Sequence, residues 1–381
     1  MQRFDYIIYK KRRFFLKRFL KRYLPISFIF TFAIFIISYG LLLLASRNSA
    51  FADSISGGVG AFLRRGFAYI TNPLPLSLAE LLVILLVIFC VLLVFWSIFK
   101  LHGHVARIRL LFHILSFVFC MYSWYAIAFG ASYYTEKIEN KMGFEVESVS
   151  EGDLLELALY LIDELNVLSE EISTEDGVSK MGYDLCELSE KAVSAYAEFI
   201  ADYPIFENFN TYAKPVMLSR LMAYGGILGM YTYFTGEANI SLVYPDYCIP
   251  ATVMHEFAHQ RGVSREDEAN FIAYTVCTYS EDAYIRYSGY LNLFEYTVSA
   301  IAKTNRELVG ELYSSVSPLV ISDMRAYSDF YNEHKVSFIR DISSFFNDTY
   351  LKLNGTAGRV SYSEVVRLSV SYYKTLGVIS D

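Results

Sequence analysis

Apolar positions along the chain follow two regimes. Up to about residue 133 they come in long unbroken runs; beyond about residue 150 they recur at three- and four-residue spacing with acids between them. A run of about 20 apolar residues at about 1.5 Å rise spans a hydrocarbon core of about 30 Å, so such a run predicts a membrane-crossing helix. Three runs qualify: Leu24–Ala45, Leu81–Phe99 and Leu110–Tyr133. The third contains one ionisable group, His113, read as a passenger of the helix. Its Trp124, Tyr125, Tyr133 and Tyr134 suit a membrane interface.

In the second regime, Asp153–Ile172 and Tyr183–Tyr203 show helical periodicity without Pro or Gly and predict amphipathic scaffold helices. Met230–Tyr244, rich in Tyr, Thr, Ile and Val and broken at Gly236, predicts a short β-hairpin or an edge strand. Helical patterning resumes from about Pro250 to Tyr287 and continues to the end, with a turn region at Gly355–Gly358. The expected architecture is a mainly α membrane protein. A basic N-terminal stretch (1–23) precedes three transmembrane helices (about 24–45, 81–99 and 110–133), and residues 134–381 form an α-rich domain with a small β element.

Charge changes this picture by giving it a direction. Residues 1–130 hold 15 basic and 3 acidic side chains, and residues 131–381 hold 18 and 37. Nine basic residues from Arg3 to Arg22 precede the first run, and Lys100, Arg107 and Arg109 lie between the second and third. The positive-inside rule places both stretches in the cytoplasm and the acidic domain outside it, in a multi-pass cell-membrane protein. Arg47, Arg64 and Arg65, in the loop expected outside, run mildly against this assignment. The acidic balance excludes nucleic acid as a partner, because phosphate binding needs clustered Lys and Arg. Cys90, Cys120, Cys186, Cys248 and Cys277 form no CxxC pair and no disulfide framework.

Candidate chemistry is concentrated in one segment. His255, Glu256 and His259 form an HExxH arrangement, and positions i and i+4 of a helix share one face, so both imidazoles can reach one zinc ion. Glu256, one step around, is placed as general base for a water that zinc acidifies to a pKa of about 7. A third ligand must follow. Glu266 is seven residues past His259, about 10 Å along a straight helix, so the chain has to turn before it. Gly262 suits a left-handed cap, and Ser264 can cap a second helix with Asp267 in the capping-box position. On that helix Glu266 shares a face with Ala269, Asn270, Ala273 and Cys277, whereas Glu268 lies about 200° away above Phe271 and Ile272. Glu266 is therefore the preferred ligand, with Asn270 orienting a histidine, and Glu268 the alternative. His334 is read as a surface histidine.

The run His255–Asn270, with Phe234–Asn239 upstream and Tyr350–Gly355 and Ser361–Tyr362 downstream, resembles a bacterial membrane family known as domain of unknown function 3810. Asn72–Ser77 is similar too, so the likeness covers most of the chain. The resemblance implies a zincin-like domain but no substrate. Glu266–Asn270 also looks like the Glu-x-x-Ala-Asp/Asn segment of gluzincins, which implies Glu266 as zinc ligand, although its distance from His259 is shorter than in most of them.

The resulting expectation is a membrane-anchored zinc metallopeptidase, with Zn2+ as cofactor, a peptide or protein as substrate and the lipid bilayer as partner; oligomeric state stays open. An intramembrane protease is disfavoured, because five polar or charged residues, 264–268, directly follow the motif. A membrane-tethered sensor or scaffold with a structural metal is the alternative from outside enzymology.

Overall fold

A computed structural model of the chain describes residues 22–353 and 362–380. The basic residues up to Lys21 and the Gly355–Gly358 turn lie outside the described residues. Three helices are long and apolar enough to cross a membrane: α1 (Ile26–Ala45), α4 (Leu78–Phe99) and α5 (His104–Ala128). They match the three apolar runs, with ends displaced. Helix α5 begins at His104 rather than residue 110, since backbone hydrogen bonding does not stop where charged side chains begin and Arg107 and Arg109 extend from its first turns. It ends at Ala128, and Gly130–Tyr134 forms a 3-10 turn.

Helices α1 and α5 pack along their length through aromatic rings. Phe28 meets Phe112 edge-on at 4.6 Å, and Phe35 stacks on Phe119 at 4.6 Å. Tyr23 bonds His104 across 3.1 Å, so the segment before α1 and the segment between α4 and α5 share one end of the bundle. Helix α4 stands differently, because its apolar stretch has no buried residue.

The segment between α1 and α4, read from sequence as a loop, is helical: α2 (Ser49–Ile55), a π turn (Ser56–Gly60) and α3 (Ala61–Thr71). One of the three arginines in this segment is tied into the protein. Arg64 is buried, and its guanidinium donates to the carbonyls of Ser56 and Ala128 and to Ser132 Oγ. It ties α3 to the end of α5 and is not a free interfacial charge.

The remaining chain forms α6 (Ile138–Met142), α7 (Glu151–Glu171), a minimal hairpin of β1 (Thr174–Glu175) and β2 (Val178–Ser179), and α8 (Leu185–Asp202). Strand β3 (Lys214–Pro215), α9 (Ser219–Gly225), β4 (Gly229–Thr232) and β5 (Glu237–Ile240) follow, then α10 (Cys248–Gln260) and α11 (Glu266–Thr278). The chain closes with α12 (Ala283–Ile301), α13 (Arg306–Ser315), α14 (Pro318–His334), α15 (Ser337–Leu353) and α16 (Tyr362–Thr375). Helices α7 and α8 coincide with the two predicted amphipathic segments. Leu157, Leu161, Leu165, Leu188, Tyr196 and Phe199 from their inner faces enter one core with Phe257, Phe271 and Phe294 from α10, α11 and α12. Ser150 and Asp153 form a capping box that starts α7.

The predicted hairpin is β4–β5, antiparallel, with β3 added in parallel to the far side of β5. This small sheet is fastened to the membrane segments. Gly236, at φ +71°, makes the turn and lies so close to α3 that a Cβ there would sit 2.4 Å from the Ala68 nitrogen. Both Glu237 carboxylate oxygens accept from the first N–H groups of α4, Leu78 and Ala79, at 3.1 and 2.8 Å. An anion at a helix N-terminus satisfies orphan donors and the helix dipole together. Glu237→Ala should therefore lower stability by about 1–2 kcal/mol, and Glu237→Gln by less, read as melting of the full chain in detergent.

Candidate metal centre

Helix α10 lies against β4 and β5, and its last turns carry His255 and His259 toward Glu266 of α11 and Glu256 toward β4. Gly262, at φ +101°, ends the turn after α10, as the left-handed cap requires. The second cap differs from expectation. Helix α11 starts at Glu266 after an extended Arg265, and the Ser264 hydroxyl donates to the Phe129 carbonyl at 3.4 Å instead of capping the helix. Arg265 takes over the positioning: its guanidinium donates to the carbonyls of Tyr133, Thr135 and Glu136. The turn between the two helices is thus held by the segment that leaves α5.

The turn brings Glu266 back over α10. His255 Nε2 is 3.3 Å and His259 Nε2 is 3.6 Å from Glu266 Oε2, and the three ligand atoms all lie within 4.8 Å of one another. Ligand atoms about 2.0–2.1 Å from a tetrahedral zinc are about 3.4 Å apart, so these three donors fit one face of such a site. Their chemistry fits as well. A 2.6 Å contact joins His259 Nδ1 to the Val263 carbonyl, which can only accept, so Nδ1 carries the proton and Nε2 turns toward Glu266. The group orienting His259 is therefore this carbonyl rather than Asn270. His255 Nδ1 is buried without a partner.

Protonation in this cluster is mutual. Burial lowers the His259 pKa, but Glu266 outweighs it and carries the imidazole to about 9. Burial raises the Glu266 carboxyl, but His259 and His255 hold it well below the usual carboxylate range.

Glu256 is buried beside the three. Burial pushes its pKa up, opposed by both histidines and by the backbone N–H of Tyr231, which donates to its carboxylate. Its Oε2 is buried without a hydrogen-bond partner. The contact with β4 depends on Gly229, where a Cβ would sit 2.6 Å from Glu256 Oε1 and 2.8 Å from Thr252 Cγ2. Sequence reading did not find Gly229 or Tyr231; a strand-like segment just before the motif was the available signal.

Glu268, the alternative ligand, points elsewhere. It pairs with Arg265 at 2.6 Å and accepts from the Ile138 N–H at 3.1 Å, and it contacts neither histidine. This separates two isosteric changes. Glu266→Gln should weaken metal retention by about 10–100-fold or more, whereas Glu268→Gln should leave retention unchanged and lower the melting temperature, checked by metal analysis and melting on the same samples.

Two further histidines settle as follows. His334 is half-buried, bonded to the Phe330 carbonyl at 3.0 Å and stacked on the Phe330 ring. His113 contacts Ser27 Oγ at 3.4 Å between α1 and α5. Among the described residues, His255, His259 and Glu266 are the group of His, Cys, Asp or Glu close enough together to hold an ion.

No curated protein matches the chain, and no solved structure does. A family model described as a protein of unknown function matches residues 56–370, a span running from the π turn beside Arg64 through the candidate site to α16, and by that match the chain belongs to the DUF3810 family.

Proposed function

We propose that this chain is a membrane-anchored zinc-dependent metallopeptidase with a zincin-like domain outside the cytoplasm. The observation that carries the reading is the convergence of His255, His259 and Glu266, with the buried Glu256 carboxylate beside them. His255, His259 and Glu266 would hold the ion. Zinc, when bound, supplies a Lewis acid for a peptide carbonyl and acidifies water. Glu256 takes a proton at Oε2, the carboxylate oxygen without a partner, from the water whose oxygen bonds the carbonyl carbon, and returns it to the amine released as the peptide C–N bond breaks. Tyr231 N–H and Gly229 keep that carboxylate in place.

A peptide substrate is supported by the sheet. Strand order β3-β5-β4 leaves β4 at the edge, where an extended peptide can add by main-chain hydrogen bonds next to Glu256. Orientation rests on the basic composition of 3–22 and of 100–109, which the positive-inside rule assigns to the cytoplasm.

The test is the full chain purified in lipid nanodiscs and offered a peptide library. Cleavage that disappears with a chelator and returns with zinc supports the proposal, and the same chelation should lower the melting temperature, because an ion bound only by the native state stabilises it. Absence of cleavage by the zinc-loaded chain, or cleavage indifferent to chelation, overturns it.

A further inference from the structure

Helix α15 is amphipathic in the inverse sense for a surface helix. Part of its polar side faces the protein, with Asp341 and Lys352 exposed: Ser343 and Arg340 lie against Gly225 and Gly226 at the end of α9, where a Cβ at Gly226 would sit 2.8 Å from the Arg340 guanidinium. Arg340 also stacks on Tyr331 of α14 at 3.8 Å. Its apolar side faces outward. Phe338, Phe345 and Phe346 are 73%, 67% and 66% exposed, and Ile342 shares their face. A helix in water buries its apolar stripe; one that turns three phenylalanines away from the protein is built for an apolar surrounding.

The surface next to it identifies that surrounding. Glu80, in the first turn of α4, accepts from the backbone N–H groups of Met217 and Leu218 at 2.8 and 2.7 Å. Lys214 Nζ donates to the carbonyls of Asn72 and Leu74 just before α4. The exposed side chains of Met217, Leu218 and Leu221, leading into and along α9, therefore stand where α4 enters the bilayer. The apolar face of α15 continues this surface through its packing on α9, and both join the lipid-facing belt of α4.

We propose that α9 and the phenylalanine face of α15 are seated in the leaflet that holds the N-terminal end of α4, as a lipid-immersed paddle. An interfacial helix lies in the membrane plane with its apolar face about 5–10 Å into the headgroup and acyl boundary. On α15 the charges balance, Arg340 and Lys352 against Asp341 and Asp348, so apolar burial and not attraction to anionic lipid drives the seating. Gly229 at Glu256 is three residues beyond the Gly226 cap of α9, about 10 Å of chain at most. The paddle and the candidate site are thus coupled at short range. Resting on the proposed peptidase function, this makes polypeptides held at the membrane, by a lipid or by a span of their own, the substrate class.

The experiment uses the full chain with its three exposed cysteines, Cys90, Cys120 and Cys186, changed to Ser. An environment-sensitive fluorophore is attached at Phe345→Cys, at Leu221→Cys or, as a control on exposed α7, at Val167→Cys, and the chain is placed in phosphatidylcholine vesicles with brominated acyl chains. Positions 345 and 221 should lose roughly half their emission to the brominated lipid, at a depth of about 5–10 Å, and position 167 should lose it to aqueous iodide. Replacing part of the lipid with phosphatidylglycerol should not change the result. A label at 345 that behaves like the one at 167, or one shielded from both quenchers by a second copy or another protein, overturns the paddle. Substrate class is read separately, by comparing one cleavable peptide free and lipid-anchored in the same vesicles. Parent protein should favour the anchored form and Phe345→Ser/Phe346→Ser should lose that preference; equal cleavage by the parent overturns the substrate class alone. If neither form is cleaved, the peptidase reading has failed, and quenching still decides the paddle.

Discussion

Glu256→Gln should lower peptide turnover by about 10³-fold or more while leaving metal content and melting temperature at or above those of the parent. The separation follows from where the carboxylate sits. Glu256 is buried, its pKa is pushed up by that burial, and it points one oxygen at no partner. A buried carboxylate of this kind weakens the fold or is neutral to it, so an isosteric amide that still accepts from the Tyr231 N–H should not destabilise the protein. The loss is then confined to proton transfer. Turnover within tenfold of the parent would assign the base to another group, and metal lost together with turnover would make Glu256 a structural member of the cluster. Both quantities come from one purification, with turnover measured against a peptide the parent cleaves.

Gly236→Ala should be strongly destabilising for a single added methyl. A non-glycine residue at φ +71° costs about 1–2 kcal/mol in backbone alone, and overlap with a packed neighbour adds about 1–3 kcal/mol. Here the neighbour is the backbone of α3 at Ala68, which cannot move aside as a side chain could. Gly177, at φ +82° with nothing within 4 Å, supplies the control: Gly177→Ala carries the backbone cost without the overlap. A melting temperature lowered several times further by Gly236→Ala than by Gly177→Ala is the expected outcome. Metal retention should fall with it, since the Gly236 carbonyl accepts from Gln260 on α10, the helix of His255 and His259, at 2.7 Å. Equal effects of the two substitutions would mean that the hairpin is not pressed onto the membrane segments.

These contacts also show what could be read from the residues alone. The three apolar helices were legible because about 20 uncharged residues in a row have few alternatives to a long apolar helix, and the grouping of His255 with His259 was legible because i, i+4 spacing fixes two imidazoles on one face. Even the choice of Glu266 over Glu268 followed from helical angle, and Glu266 does meet the histidines while Glu268 pairs with Arg265. What escaped was long-range. Arg64 reads as a loop charge until its guanidinium is seen against a carbonyl 64 residues away, at Ala128. Nothing local to Glu237 says that it starts α4, and nothing in Ser264 says that its hydroxyl will meet Phe129 before it caps a helix. Boundaries drawn at the ends of apolar runs likewise missed the helical turns that carry Arg107 and Arg109.

The same contacts bear on how the site is built. Ser264 and Arg265 hold the end of α5, Gly236 rests on α3, and Glu237 and Asn239 hold the start of α4 through Leu78, Ala79 and Ser77. Cutting the chain near residue 134 would remove these partners and leave Arg265, of its carbonyl acceptors, only those of Thr135 and Glu136. The spans act as part of the site's scaffold as well as its anchor, so each comparison above uses the full chain.

The most direct measurement is the metal content of the full chain, by elemental analysis after purification without added zinc, for the parent and for His255→Ala, His259→Ala and Glu266→Gln. One zinc per parent chain, lost or sharply reduced in all three variants, is the predicted result. A parent without metal, or a His255→Ala/His259→Ala double variant that keeps it, would contradict the assignment of these residues as the metal centre.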